Sequence, residues 1–411
     1  MNVRFDVAIA GGGMVGAALA LALGRQGMRV AVLERHAPQR QWPPGEIANR
    51  VSALSRASQR ILEHLAAWPR MVELGVSPYE AMYVWDAGGH GHIRFDAADL
   101  GEPDLGHIVE NRVIRLALWE GLEALDTVEI LCPAEIRDFH LQGEDAMRIH
   151  LAEGPPLDAA LLAAADGRDS WVRERAGIPT QGWGYDQQAL VANVVHERPH
   201  QATAWQRFLP TGPLAFLPLA DGRSSIVWST SPQHARELLE MEAEAFHAAL
   251  GAAFEYRLGE ITASGPRAAF PLRLQHATRY IAPRLALVGD AAHAIHPLAG
   301  QGVNLGLLDA AQLAETLTAT RYRHRDLGGE PALRRYERAR KGDNLAMLAA
   351  MDLFKRLFGN DLPPLRLARN LGLDLADRAG PLKHLLIRRA MGLAGDLPAL
   401  ARPSRPPVRE G

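Results

Sequence analysis

The chain has 411 residues, 47% of them apolar, which is more than one ordinary core holds and calls for two or three packed domains. Its one cysteine, Cys132, excludes an intramolecular disulfide, a cysteine redox pair and a cysteine-based zinc site, and no other spacing suits a metal. The formal charge of −2 hides an asymmetry, because Pro331 to Gly411 carries 16 Lys and Arg against 8 Asp and Glu, so a basic end follows an acidic body.

Met1-Asn2-Val3-Arg4 leads directly into an apolar run, which leaves no room for a secretory signal, and no apolar run approaches the roughly 20 residues of a membrane span. The expected location is the cytoplasm. Phe5 to Ala10 reads as a buried strand, Gly11 to Gly16 as a turn, Ala17 to Gln26 as a helix and Arg29 to Glu34 as a second strand. Ser52 to Ala67 has helical spacing, with Ala57, Ile61, Leu62 and Leu65 on one side, and Asn111 to Leu125 repeats the pattern. After Asp166 the texture changes. Ala189 to Glu197, Thr203 to Leu209, Leu214 to Leu219 and Ser224 to Ser229 are short strand-like runs that suggest an antiparallel sheet. Helical spacing returns at Pro232 to Leu250, Leu285 to Val288 reads as a buried strand, and the chain beyond Pro331 is mainly helical.

The expected architecture is α/β. A discontinuous Rossmann-like nucleotide-binding domain takes residues 1–75, 100–180 and 275–330, an antiparallel substrate domain 76–99 and 181–274, and a C-terminal helical region 331–411.

Gly11, Gly13 and Gly16 stand in the G-x-G-x-x-G arrangement directly after a strand and at the opening of a helix, with Met14 and Val15 between them. Such a turn lets a pyrophosphate approach the backbone, and the helix N-terminus faces its charge. Glu34, followed by Arg35, ends the second strand, where an acid accepts hydrogen bonds from an unphosphorylated ribose, as in FAD or NAD. Far along the chain, Gly289-Asp290-Ala291-Ala292-His293 follows a buried strand, and Pro297, then Gly300-Gln301-Gly302-Val303-Asn304, opens another helix. A third motif is Asp166-Gly167-Arg168-Asp169, with Arg173 shortly after.

Together these motifs resemble the flavoprotein aromatic hydroxylases. The resemblance implies FAD as cofactor, with Asp290 on the ribityl chain, the backbone amides of Gly300-Gln301-Gly302 at the pyrimidine end, Val303 and Asn304 also at the cofactor, and Asp166 and Arg173 associated with FAD and nicotinamide. Arg50 and Asn111 match family positions near the diphosphate and ribityl chain, and an exposed Arg and a helix-capping Asn are the alternatives. Since no second G-x-G-x-x-G follows a strand, NAD(P)H is expected to bind transiently as co-substrate. Similarity over nearly the whole chain, including Phe95 to Leu100, Leu105 to Asn111 and Ala215 to Leu219, is to the ubiquinone-biosynthesis branch. From Met351-Asp352-Leu353-Phe354 onward it is to members acting at the demethoxyubiquinol step. Arg168-Asp169 and His296 depart from the usual residues, which bears on cofactor affinity.

The implied reaction is hydroxylation of a polyprenylated quinol or phenol with NAD(P)H and O2 through a C4a-hydroperoxyflavin, with backbone carbonyls around Pro297 near the substrate. His293 and His296 are candidate proton donors, with local packing as the alternative. Phe216, Leu217, Trp228 and Phe270 are candidates for an apolar substrate pocket, with sheet core as the alternative. A flavin reductase or dehydrogenase of a lipid substrate, and a regulator that holds FAD without turnover, are the competing readings. Between Pro381 and Ala394, Leu382, Leu385, Leu386, Met391 and Leu393 mix with Lys383, His384, Arg388 and Arg389. That mixture suits anionic headgroups, so peripheral contact with the inner membrane or a ubiquinone-biosynthesis assembly is expected, with a solvated helix face as the alternative. No nucleic-acid partner is expected.

Overall fold

The amino-terminal unit begins with strand β1 (Arg4–Ala10), helix α1 (Met14–Gly24) and strand β2 (Val30–Leu33). In this computed structural model, which describes residues 4–294, 302–358, 391–393 and 395–403, β1 lies parallel to β2 on one side and to strand Leu157–Ala164 on the other. Leu285–Leu287 and Val128–Leu131 extend the parallel core at its two sides. Val7, Ala8, Ile9 and Ala10 are all buried, and that is why these strands read as unbroken apolar runs rather than alternating ones. α1 packs against helices Asn111–Glu123 and Gly302–Tyr322.

Between Ala164 and Leu285 the chain builds a second sheet. Its order is His293–Ala294, Ala268–Ala277, Thr180–His196, Ser224–Thr230, Gly212–Pro218, Thr203–Leu209, Ala81–Asp86, His92–Asp96. All neighbours are antiparallel except Thr203–Leu209 with Ala81–Asp86, which are parallel. One face carries Leu190, Ala192, Phe216, Ile226 and Trp228 against Leu238, Phe246 and Leu250 of helices Pro232–Glu240 and Ala243–Ala253. The other face turns toward the parallel sheet.

Two elements differ from the sequence reading. Ser52 to Ala67 is not one helix: Val51–Ser55 is a strand paired with Gly106–Glu110, and the helix is Arg56–His64. Ser55 makes the break, because its side chain caps the helix by accepting from Ser58 N. Pro232 to Leu250 divides at Met241 and Glu242, whose extended backbone separates two helices. The C-terminal region begins as one helix, Glu330–Phe358. The basic segment Pro381 to Ala394 lies almost entirely outside the described residues, as does the resemblance from 359 onward. Among the described residues no helix is long and apolar enough to cross a membrane.

Candidate functional site

A cleft of about 560 Å3 opens between the parallel sheet and the second sheet. Its polar side is the Gly-rich turn. Gly11 has φ +99°, and a Cβ there would stand 2.5 Å from the carbonyl oxygen of Ala165, so the turn can tighten against the neighbouring strand only with glycine. A Cβ on Gly16 would stand 1.9 Å from the carbonyl oxygen of Gly11. Gly13 is different: nothing lies within 4 Å of its Cβ position, which opens into the cleft. It is also the N-cap of α1 without a side-chain cap, so the first amides of the helix are left for an anion. Met14 and Val15 line the cleft beside it, and Val15 also seats against Gly289 and Gly306.

Glu34 is locked beside the turn, its carboxylate accepting from Gly12 N at 2.6 Å and His36 N at 3.0 Å. Arg35 points elsewhere, into an exposed ion pair with Glu135. Beneath the turn, Trp119 Nε1 donates to Gly12 O at 2.7 Å. Arg50 and Asn111 both line the cleft. The Arg50 guanidinium lies 5.5 Å from the Phe270 ring centroid, and Asn111 Oδ1 accepts from Ser52 Oγ at 2.7 Å.

Asp290 forms the cleft floor. Its carboxylate is reached through the open cleft and walled by protein elsewhere; this enclosure raises its pKa, and the positive charges of His293, Arg50 and Arg168 oppose the rise. Asp166 binds the amide of Val172 at 3.1 Å, and burial raises its pKa too. Arg173 is buried behind the cleft, donating to the carbonyls of Arg168 at 2.9 Å and Ala291 at 3.0 Å, so it ties the Asp166 loop to the Asp290 loop. Asn304 is committed as well: Oδ1 accepts from Ser55 N and Ser58 Oγ, and Nδ2 donates to Ala53 O. Gly302 and Val303 line the cleft at the start of their helix. His296, Pro297, Gly300 and Gln301 lie outside the described residues.

Behind Gly289 and Asp290 sits a buried polar network that no sequence motif announces. Asp309, fully buried, accepts from His293 Nε2 at 2.5 Å, Gly289 N at 3.2 Å, Arg340 Nε at 2.8 Å and Asn344 Nδ2 at 3.1 Å. Burial alone would raise the Asp309 pKa, but the charges and hydrogen bonds of His293 and Arg340 override it and bring the carboxyl down to about 2. His293, 2% exposed, therefore faces the network rather than the cleft, and its expected place as a proton donor at the substrate gives way to one holding the loop. Asp309, Arg340 and Asn344 come from two helices, and their spacing in sequence carries no recognisable pattern.

Of the four pocket candidates, Phe270 alone lines the cleft. Phe216 and Trp228 point to the opposite face of the sheet, Phe216 stacked on Phe254 at 3.9 Å, and Leu217 is buried with Tyr79 and Ala215. Strand alternation is the reason: Val227 rather than Trp228, and Ala189 and Val191 rather than Leu190, fall on the cleft side, joined by Leu272.

This arrangement fits FAD. The cradle at Gly13 is open, the helix amides are unspent, Glu34 is held beside the turn, and Asp290 lines the cleft.

The model of the FAD binding domain matches residues 4–349. The 3-demethoxyubiquinol 3-hydroxylase of Escherichia coli K12 is 42% identical over 394 residues, covering 95% of this chain and all of that protein. The mitochondrial ubiquinone biosynthesis monooxygenase COQ6 of Danio rerio is 39% identical over 434 residues, covering 94% and 89%. Among solved structures, pqsL, a probable FAD-dependent monooxygenase from Pseudomonas aeruginosa, superimposes with a TM-score of 0.76 at 25% identity, covering 90% and 99%.

Proposed function

Because this chain belongs to the FAD-dependent monooxygenase family that contains the ubiquinone-biosynthesis hydroxylases, we propose that it hydroxylates the ring of a polyprenylated quinol at the demethoxyubiquinol step. In balance, the quinol, O2, NAD(P)H and a proton give the ring-hydroxylated quinol, water and NAD(P)+. The observation that carries the reading is the two-sided cleft. One side offers amides and carboxylates for a nucleotide at Gly13 and Asp290, and the other is an apolar wall of Ala189, Val191, Val227, Phe270 and Leu272.

FAD, when bound, accepts a hydride from NAD(P)H and activates O2. The chain's own residues do the rest. The α1 N-terminus and the turn at Gly11, Gly13 and Gly16 hold the pyrophosphate, Glu34 the adenosine ribose and Asp290 the ribityl chain. Amides at Gly302 and Val303, with the dipole of their helix, stabilise negative charge at the pyrimidine end. The apolar wall positions the ring and keeps water from it. His293, through Asp309, fixes the loop that carries Asp290. On this reading residues 1–75, 100–180 and 275–330 make the FAD-binding domain, 76–99 and 181–274 the substrate domain, and the remainder from 331 the C-terminal region. An insoluble isoprenoid substrate must be collected from a bilayer or a carrier protein, and the basic segment Pro381 to Ala394 is the sequence feature suited to that contact.

Cells lacking this protein are expected to accumulate the demethoxy intermediate, one ring oxygen short, as read by mass spectrometry of their quinones. Accumulation of an earlier prenylated phenol would assign the enzyme to another ring position, and an unchanged quinone profile would contradict the reading.

A further inference from the structure

Between β2 and the strand Val51–Ser55 the chain has no regular structure, yet residues 42–50 are fixed from two sides. One side is the second sheet. Along Thr180–His196, Leu190, Ala192 and Val194 pack on the helices while Ala189 and Val191 line the cleft, so Asn193 follows them on the cleft face. Asn193 is 4% exposed, and its Nδ2 donates to Ile47 O at 2.9 Å and Ala48 O at 3.4 Å. Gly265 N donates to Asn193 O at 2.8 Å, and the next carbonyl, that of Pro266, accepts from Asn49 Nδ2 at 2.7 Å. Arg223 adds a bond to Gly45 O at 2.7 Å.

The other side is the opening of helix Asn111–Glu123. Glu110 Oε2 accepts from Ala48 N at 2.6 Å and from Arg112 Nε at 2.8 Å. Arg112 also donates to Glu46 Oε1 at 2.9 Å, with its guanidinium 4.3 Å from the Trp42 ring centroid. Asn111 N donates to Arg50 O at 3.0 Å. Polar groups enclosed in this way are costly to leave unmatched, so each side specifies one path for the chain.

What these residues carry into the cleft is Asn49 and Arg50. The Arg50 guanidinium stands 5.5 Å from the Phe270 ring centroid on one wall, and its charge acts on Asp290 at the floor. Its backbone is thus set from both sides of the cleft, and its side chain addresses both.

We propose that residues 42–50 form a two-sided clamp that holds Arg50 across the cleft, with Asn193 and Glu110 as its positioning residues, and that the clamp keeps NAD(P)H oxidation coupled to ring hydroxylation. The proposal rests on the monooxygenase reading above. With the clamp intact, Arg50 closes the space between Phe270 and Asp290 and water stays out. With either tie cut, Arg50 leaves that position, and electrons pass to oxygen without a ring being hydroxylated: NAD(P)H, a proton and O2 give NAD(P)+ and H2O2. Neither Asn193 nor Glu110 lines the cleft, so both act through Arg50.

The test uses a demethoxy-type prenyl quinol with FAD-loaded parent protein, the variants Asn193→Ala, Glu110→Ala and Glu110→Gln, and Ile226→Val as control. Ile226 is fully buried on the helix-packed face of the same sheet, so its variant loosens the sheet without touching the clamp. In both alanine variants, H2O2 formed per NAD(P)H should rise at least about fivefold and kcat for hydroxylation fall about tenfold, with the quinol KM changed less than about threefold. Glu110→Gln keeps an acceptor for Ala48 N and should couple as the parent does. Ile226→Val should lower the melting temperature and leave coupling unchanged. In the apoproteins, hydrogen exchange at Ala48 N should quicken at least about tenfold in both alanine variants. The proposal is overturned if coupling is unchanged in either alanine variant, if Ile226→Val uncouples as much, or if Glu110→Gln uncouples as much as Glu110→Ala. Exchange at Ala48 N that stays at the parent rate overturns it as well, whatever the activity. If the parent hydroxylates no quinol while that exchange responds as expected, the functional reading fails and the coupling role with it, so the two failures are told apart.

Discussion

Gly13→Val is expected to give a folded protein that does not hold FAD, while Gly16→Val is expected not to fold. The two positions are three residues apart in one turn, and they separate because of what a side chain would meet. At Gly13 the backbone is extended, at φ −70° and ψ −175°, which valine adopts readily, and nothing lies within 4 Å of the new Cβ. The added methyls therefore occupy the cradle itself. Stability of the apoprotein should change by less than about 0.5 kcal/mol, as for substitutions away from packed features. FAD affinity should fall at least about 100-fold, because the pyrophosphate loses its approach to the backbone. At Gly16 the Cβ would sit 1.9 Å from a backbone oxygen inside the β1 to α1 connection, and overpacking a site that cannot shift costs about 3 kcal/mol or more. Flavin absorbance of the purified proteins and melting of the apo forms measure both effects. Stoichiometric FAD in Gly13→Val would remove the turn from the site.

Asp309→Ala should be among the most destabilising single changes in the chain, costing about 3–5 kcal/mol by leaving the buried Arg340 guanidinium without its partner. The loss should reach the cofactor as well, because Asp309 holds Gly289 N and His293. The pH dependence has a definite sign. With its folded pKa held at about 2, below the ordinary 3.8, the Asp309 carboxylate contributes stability that is fully present above about pH 4 and lost as pH falls toward 2. The stability difference between the parent and Asp309→Asn should therefore be full at pH 6 and shrink between pH 4 and pH 2, as read by denaturant titration. A difference that is the same at both ends would show that shape, not charge, is what Asp309 supplies.

The first strand, turn and helix were legible because their signals are local: an apolar run, glycines at fixed spacing and an acid closing the next strand all lie within 31 residues, Arg4 to Glu34. Asp290 was legible for the same reason, sitting at the end of a short buried strand. The apolar wall of the cleft was not. Phe216 and Trp228 are the large aromatic residues of their strands, yet they belong to the face packed on helices, and the cleft is lined by smaller neighbours one position out of phase. Size in the sequence is no guide to phase, because alternation leaves open which face is which until the helices are placed. The Asp309 network was invisible for a different cause. Its members reach one point from Gly302–Tyr322, Glu330–Phe358 and the His293 segment, and only the packing of those elements makes Asp309 and Arg340 neighbours. Ser55 shows the limit in miniature, since a residue that both ends a strand and caps a helix reads as part of either.

Hydroxylation of a quinol ring with an oxygen atom from O2 is the central claim, and isotope labelling tests it most directly. The FAD-loaded protein, NAD(P)H and a demethoxy-type prenyl quinol are incubated under 18O2 in ordinary water, and the product is read by mass spectrometry. The expected product carries one 18O on the ring, with NAD(P)H oxidised in equal amount. Product without the label, or substrate recovered as a reduced species with no ring oxygen gained, would contradict the account.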